Sequence, residues 1–519
     1  MVVVNLARWC IESHALDPAT ADRPAFTFAR TYSDAASDLQ WTYRELWSEV
    51  ERVARGLRAS GLATGERVLL RMPHSPAYAF AFFGANLAGL VPIPASPQLT
   101  AEEVRFLLDD SGAAAVLMSA DGGPEVTVRS DLPPGVRALV LEELPPADGA
   151  ALPETHAEDP AFLIYTSGTT ARAKGVLHAQ RTVLGRALMR DAWEGFGRSD
   201  VTLHAGTLNW SYTLGVGLMD AWTAGAHAVL FGGTYDAGGW SRLVERLGVT
   251  VFAAVPTVYR QWLKYGPPPA ELRRALASLR HGLCAGEALP PALLEEWRAA
   301  TGLELYEALG MTEVSTYVSS GPGMPVRAGS PGRLSRGAAS PSSTRRAASS
   351  HRGRRGRPAR GPSKRSRAHA RVLEPPAEEA AVFRGDWFVG GDVASIDEDG
   401  YVWFQGRADD VIKSFGYRLS PVEIEAALAS CAGVGDVAVV GVTVEDGKTL
   451  VSAAVVREDS AAGAALDEAR LRAHAAAHLA GYKQPHAFHL VTALPRRPTA
   501  RCSAPCWRSS CAIPRDGAS

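Results

Sequence analysis

The residues from Tyr165 to Val176 read YTSGTTARAKGV. Small hydroxyl side chains and Gly168 follow an apolar run, AFLI, so the chain leaves a buried strand into a loop rich in N–H and O–H donors. Lys174 adds a cation. Such a loop suits a polyphosphate, whose oxygens accept from main-chain and hydroxyl donors beside a positive charge. It is not the common P-loop, because the G-x-x-x-x-G-K-[ST] spacing is absent. A solvated Ser/Thr turn has the same composition, so this stretch by itself leaves both readings open.

The elements around the loop alternate. TYRELWSEVERVARGLRASGL spaces Leu46, Val50, Val53 and Leu57 on one helical face, and Gly61 stops it. ERVLLRMP, VPIPASP and AAVLMS read as short buried strands, with AYAFAFFGANLAGL as a helix among them. The alternation recurs at HAVLFGG, SRLVERLGVTVFAAVPTVYRQWL and LRHGLCAGEALPPALLEEWRAATGLELYEALGMTE. Strands alternating with helices imply an α/β fold of parallel sheet layered with helices. After Asp392 the pattern changes. SIDEDGYVWFQGR is hairpin-like, SPVEIEAALASC is a helix with Ser420 and Glu423 spaced as a capping box, and VGDVAVVGVTVEDGKTLVSAAVV supplies strands. A small α+β domain therefore starts near Arg407.

Composition sets the outer limits. The 519 residues suffice for two to four domains at roughly 150 residues each. With 46% hydrophobic and 21% charged residues the chain can build sizeable cores, and a formal charge of -1 gives no global attraction to nucleic acid or anionic lipid. No apolar run reaches the roughly eighteen residues that span a bilayer, and the N-terminus has no signal-peptide pattern. Cys10, Cys284 and Cys431 are scattered and read as packed thiols. The expected location is cytoplasmic, with no nucleic-acid or membrane partner; oligomeric state is not legible.

Several motifs together resemble the AMP-forming adenylating enzymes: acyl-CoA synthetases, peptide-synthetase adenylation domains and firefly luciferase. YTSGTTARAKGV resembles their phosphate loop, LYEALGMTEVS their second core motif and GSPGR (Gly329 to Arg333) their third. WFVGGDVASIDEDGYVWFQGRADDVIKSFGYRLSPVEIE resembles their hinge and C-terminal signature. The motifs stand in family order and cover most of residues 20–495. The resemblance implies a large N-terminal domain, 1–406, of layered parallel sheets with helices plus a small distorted barrel. A small mobile α+β C-terminal domain, 407–495, follows it.

The resemblance also implies roles. Thr166, Ser167, Gly168, Thr169, Thr170 and Lys174 would hold the β- and γ-phosphates of ATP. Glu313 would position Mg²⁺, a hard cation that favours carboxylate and phosphate oxygen. Thr312 would touch the α-phosphate, Asp392 would accept both ribose hydroxyls, and Arg407 would lie near ribose and phosphates. Ala285, Gly286 and Glu287 would border adenine and the acyl pocket, together with Leu309, Gly310 and Met311; glycine lets a planar ring approach the backbone. Asp409 matches the hinge, where a residue absorbs a large backbone change. Gly416, Tyr417 and Arg418 would face coenzyme A. The implied reaction has two halves: a carboxylate attacks the α-phosphate to give an acyl-adenylate and pyrophosphate, then a thiol displaces AMP. Positioning and charge neutralisation supply most of such catalysis.

For the acid, Leu309 stands where the family often has tyrosine, as in the benzoate–CoA ligase branch. GTLNWSYTLGVGLMDAWTAGA also resembles that branch and places Trp210 and Tyr212 near the acyl pocket. Aromatic walls favour a flat or short acyl group, although Trp210 equally suits a core. No phosphopantetheine carrier follows, so free CoA is the expected acceptor.

Two stretches break the pattern. Leu334 to Arg371 holds no Asp, Glu or aromatic residue and is expected to lack structure across about 334–372. A basic nucleic-acid arm has a similar composition. The other is the tail, 496–519. The family ends in a loop resembling L-P-R-T-x-x-G-K, whose lysine reaches the α-phosphate. Leu494, Pro495 and Arg496 match, and Arg501 stands where the lysine belongs. Arginine is bulkier and planar, not an equivalent point charge. The residues from Thr499 can be written ACG GCA AGG TGC TCC GCG; read two bases later, these give Gly-Lys-Val-Leu-Arg, the family ending. The same shift from Leu334 yields ordinary family sequence, so both stretches read as frameshift products. Cys502, Cys506 and Cys511 lack paired zinc-ligand spacing. As written, adenylation is expected to be weakened about 10²–10³-fold by loss of one preorganised charge.

The leading reading is an AMP-forming acid–CoA ligase for an aromatic or short-chain acid, with ATP, Mg²⁺ and coenzyme A. A stand-alone enzyme loading a carrier protein and a catalytically dead ATP-binding remnant are the alternatives.

Overall fold

Tyr43–Ala59 forms a helix because its apolar residues recur at helical spacing, and Leu46, Val50, Val53 and Leu57 are all buried. Its first turn is closed reciprocally: Glu45 N–H donates to Thr42 Oγ1 at 3.2 Å, and Thr42 N–H donates to Glu45 Oε2 at 2.8 Å. Just past its end Gly61 takes φ +81°, a left-handed conformation that glycine adopts without penalty.

The computed structural model describes residues 2–122, 132–147, 149, 151–166, 173–335, 357–363, 371–373, 383–384, 387–407, 412–419, 421–444 and 448–494. The chain divides into two compact units. The larger comprises Met1–Pro97, Arg105–Tyr165 and Gly175–Gly406, and the smaller Gln98–Val104, Thr166–Lys174 and Arg407–Ser519.

In the larger unit the parallel strands Pro24–Ala29, His227–Phe231, Val201–His204, Val251–Ala254, His281–Ala285 and Leu305–Met311 form the middle of a 13-stranded sheet. Helices such as Gly239–Leu247, Pro256–Tyr265 and Pro291–Thr301 intervene in the sequence, as a parallel sheet requires. Beyond Leu305–Met311 the sheet continues through Ser315–Ser319, Gly332–Leu334, Tyr401–Arg407 and Trp387–Ile396. The tight turn after Met311 lays Ser315–Ser319 antiparallel on the strand before it. A second sheet is wholly parallel, in the order Val91–Pro94, Arg67–Leu70, Ala115–Met118, Arg137–Val140.

The stretch expected to lack structure departs from that expectation at two places. Arg357–Ser363 pairs antiparallel with Trp387–Ile396, and Arg371–Leu373 with Lys174–Ala179. Ladder hydrogen bonds come from main-chain groups, so a neighbouring strand edge can recruit a segment irrespective of its side chains. Residues 336–356 and 364–370 lie outside the described residues, as does the tail from 495.

Aromatic packing anchors one face of the main sheet. Trp297 is fully buried, with ring centroids 5.0 Å from Tyr259 and 5.5 Å from Trp262, and Phe252 lies 4.9 Å from Trp262.

The smaller unit holds a hairpin, Ile412–Ser414 with Tyr417–Leu419, turned by Phe415 at φ +48° and Gly416 at φ +83°. Strands Val434–Thr443 and Thr449–Arg457 pair antiparallel, Ala487–Val491 joins the latter in parallel, and helices Pro421–Ala429 and Glu468–His478 pack with them. Ser420 lies outside the described residues, so the expected capping box there has only its Glu423 member described. Glu423 accepts from Lys483 Nζ at 2.8 Å, and Glu103 accepts from the same amine at 2.9 Å. Burial works against that ammonium, but Tyr482, Glu423 and Glu103 outweigh it and hold its pKa above the usual lysine range. Among the described residues no helix is long and apolar enough to cross a membrane, and Cys10, Cys284 and Cys431 are buried free thiols.

Candidate functional site

The turn after Leu305–Met311 is built by glycine. Pairing with Ser315–Ser319 slips between Leu309 and Gly310, so Leu309 opposes Val318 while Gly310 opposes Thr316. A Cβ on Gly310 would lie 2.9 Å from the Ser315 carbonyl oxygen and 3.2 Å from Thr316 Cα. Only glycine lets the two backbones approach this closely. Ser315 itself sits at φ +56°, and Val314 N–H closes the turn onto Met311 O at 3.3 Å. Met311 and Val314 point into an apolar cluster with Tyr317, Val318, Ala394 and Val402. That burial leaves Thr312 and Glu313 half-buried at the turn.

The neighbouring loop is fixed from both sides. His281–Ala285 runs parallel to Leu305–Met311, and Ala285 is the register partner of Ala308. Gly286 leaves the strand at φ +89° and is exposed. Thr257 Oγ1 donates to Glu287 Oε2 at 2.8 Å, from the first turn of Pro256–Tyr265. Leu289 N–H donates to buried Glu307 Oε1 at 2.9 Å. Glu307 was not among the residues singled out by sequence; one apolar-flanked carboxylate in a strand gives no signal of a partner eighteen positions away.

Tyr212 lies at the start of the helical segment that follows a third strand of the same sheet, Val201–His204. Its hydroxyl donates to Leu283 O at 3.5 Å, within the strand that carries Ala285. Its ring stands edge-on to His204 at 4.4 Å and stacks on Trp193 at 6.0 Å. Burial pushes the phenol well above its usual range. Trp210 is half-buried, with its N–H on Thr207 O at 3.2 Å. His204 Nδ1 accepts the Gly206 N–H at 2.9 Å, and burial, then His74, pushes the imidazole down to about 3. It is therefore neutral at ordinary pH.

These three segments follow the carboxyl ends of parallel strands of one sheet, where open α/β folds bind ligands. The structure brings together Ala285, Gly286, Glu287, Leu309, Gly310, Met311, Thr312 and Glu313, with Tyr212 bonded to the same strand as Ala285.

The remaining expected residues belong to other elements. Thr166 ends the strand Pro160–Thr166 and Lys174 begins Lys174–Ala179, with Thr166 Oγ1 on Lys174 O at 3.5 Å. Ser167, Gly168, Thr169, Thr170 and Asp409 lie outside the described residues. Asp392 lies within Trp387–Ile396, Arg407 ends Tyr401–Arg407, and Arg418 lies in Tyr417–Leu419. Tyr417 stacks on Tyr482 at 4.1 Å, with 14° between the planes.

Among the described residues no group of three or more His, Cys, Asp or Glu side chains could hold a metal by itself. A half-buried carboxylate beside a hydroxyl, as at Glu313 and Thr312, fits a cation that brings its other ligands as phosphate oxygens and water.

The family profile described as AMP-binding enzyme matches residues 14–340, and that described as AMP-binding enzyme C-terminal domain matches 423–501. A 3-hydroxybenzoate–CoA ligase of Aromatoleum sp. (strain CIB) is 30% identical over 498 residues, covering 89% of this chain and 90% of that protein. Among solved structures, a benzoate CoA ligase from Burkholderia xenovorans LB400 aligns with a TM-score of 0.66 at 28% identity, covering 95% of this chain and 97% of that one. A malonyl-CoA ligase with methylmalonyl-CoA and AMP bound aligns with a TM-score of 0.76 at 29% identity, covering 94% and 99%.

Proposed function

Because the chain belongs to the family of AMP-binding enzymes, we propose that it is an AMP-forming carboxylic acid–CoA ligase for an aromatic or short-chain acid. ATP and the acid give an acyl-adenylate and pyrophosphate; the thiol of coenzyme A then displaces AMP. The observation that carries this reading is the convergence of the Thr312–Glu313 turn, the Gly286–Glu287 loop and Tyr212 on the carboxyl ends of parallel strands of one sheet. The relatives' names, 3-hydroxybenzoate–CoA ligase and benzoate CoA ligase, support free CoA as acceptor and a flat acid as donor.

In this reading Glu313 would hold Mg²⁺, which draws charge off the phosphate oxygens when bound, and Thr312 would donate to the α-phosphate. Thr166, Ser167, Gly168, Thr169, Thr170 and Lys174 would cradle the outer phosphates. Asp392 would take the ribose hydroxyls, with Arg407 nearby. Gly286, Glu287 and Leu309 would bound the adenine, while Trp210, Tyr212, Ala285 and Gly310 would wall the acyl group. The domains proposed are 1–406 and 407–495, with Asp409 the hinge between them and Gly416, Tyr417 and Arg418 facing CoA. Arg501 replaces the lysine that would meet the α-phosphate, so the first half-reaction is the weaker one. The location proposed is cytoplasmic.

Acid-dependent pyrophosphate exchange and AMP release, measured with and without CoA across a panel of benzoates and short acids, test the reading. The chain as written and a version with Gly-Lys restored at the C-terminal loop are compared. Faster adenylation in the restored version is expected. ATP binding with no acid-dependent AMP in either version would favour the ATP-binding remnant.

A further inference from the structure

Arg186 belongs to none of the motifs, yet it is buried behind the Thr312–Glu313 turn. It lies on the helix Thr182–Met189, and its side chain is 9% exposed. Its guanidinium grips Asp220 in a fork: Nε donates to Oδ1 at 2.8 Å and Nη2 donates to Oδ2. The third nitrogen, Nη1, donates to Ser315 Oγ at 3.2 Å. Space for the fork is provided by Gly215, where a Cβ would come within 2.3 Å of Nη2. Glu194 is also fully buried beside this pair, and burial together with Asp220 pushes its carboxyl toward the neutral acid.

Ser315 is the residue that shapes the turn. It holds the left-handed φ of +56°, and its carbonyl oxygen is the atom packed against Gly310. A non-glycine residue keeps such a conformation only where its surroundings over-determine it. A guanidinium held on two points by a buried carboxylate can rotate little, so its remaining N–H is a fixed donor.

We propose that Arg186 is a positioning residue for the proposed nucleotide site: clamped by Asp220, it pins Ser315 Oγ and so sets the backbone that presents Thr312 and Glu313. This rests on the reading of Glu313 as the Mg²⁺ carboxylate. Disturbing the pin should weaken Mg²⁺-dependent nucleotide binding, while Mg²⁺-free binding changes little.

The test is calorimetric titration of the full chain with ATP, once with Mg²⁺ and once with EDTA. The wild type is compared with Ser315→Ala, Arg186→Lys, the double variant and Glu313→Gln, with thermal midpoints recorded in parallel. Ser315→Ala removes only the pinned hydroxyl and leaves the Arg186–Asp220 pair, so it stays informative if Arg186→Lys does not fold. Expected is a five- to tenfold loss (about one hydrogen bond's worth) of Mg²⁺-dependent affinity in Ser315→Ala. Arg186→Lys should match it, and the double variant should be no worse than either single one. Wild-type Mg²⁺-dependent affinity in Ser315→Ala, or a fall in thermal midpoint alone, overturns the proposal. If Glu313→Gln binds Mg²⁺-ATP as the wild type does, the underlying site reading fails, and the proposal with it.

Discussion

Gly310→Ala tests whether the turn carrying Thr312 and Glu313 is the working part of the site. The three atoms nearest the added Cβ are all main chain: Ser315 O at 2.9 Å, Ser315 C at 3.2 Å and Thr316 Cα at 3.2 Å. Comfortable contacts lie roughly 0.5 Å farther out, and none of these three atoms can swing away as a side chain would. Ser315 cannot yield alone, because its side chain is bonded to Arg186 and its strand to Leu305–Met311. The strain therefore falls on the turn. Overpacking of this kind costs about 1–3 kcal/mol, which here appears as displacement of Glu313 by a few tenths of an ångström. Since a 1 Å misplacement costs about 10²-fold in rate, a loss of about tenfold in kcat/KM is expected, with a smaller change in thermal midpoint. The assay is acid-dependent AMP release in the version with Gly-Lys restored, with differential scanning fluorimetry on the same preparation. Wild-type kcat/KM in Gly310→Ala would refute the reasoning, whether or not the thermal midpoint falls.

Acid should destabilise the chain between about pH 6.5 and 4. His204 and His281 are each 3% exposed, and burial lowers their folded-state values to about 3 and about 4. Their stabilising contribution is complete above the unfolded value near 6.5 and is lost as pH falls toward the folded value, since the unfolded chain then binds more protons. Each should cost about 1–2 kcal/mol by pH 5, read as a falling urea midpoint that His281→Gln flattens. Trp297→Ala removes a fully buried ring packed on Tyr259 and Trp262 and should cost about 3–5 kcal/mol, seen in chemical denaturation. Lys483→Met leaves the half-buried Glu103 and Glu423 without their shared cation. It should destabilise the smaller unit by about 3 kcal/mol, measurable as earlier proteolysis of that unit. Trp210→Ala should shift preference toward longer acids in the acid panel if that ring walls the acyl group, and should leave it unchanged if Trp210 is only core.

Local features were legible in the sequence because their causes are local. Helical spacing and the Thr42–Glu45 cap define Tyr43–Ala59 within one stretch, and the short apolar runs mark the parallel strands without reference to anything distant. The motif residues Gly310, Thr312 and Glu313 were visible through the resemblance of LYEALGMTEVS to the family's second core motif. The expectation that 357–363 and 371–373 lack structure departed from what was found because strand pairing depends on which edge is near, and a side-chain inventory does not contain that information.

What only the tertiary structure decided is how those residues are held. Arg186 meets Asp220 across 34 positions and Ser315 across 129, joining pieces that no periodicity links. Glu307 was an unremarked strand carboxylate until the loop at Leu289 folded onto it, and His204 was an ordinary histidine until burial fixed it neutral beside Tyr212. The sequence by itself determined the element types, the motif residues and the family they resemble, because backbone preference and motif spacing are written along the chain. The charge partners, the protonation states and the convergence of three segments on one sheet edge depend on desolvation and distance, which exist only once the chain has closed around them.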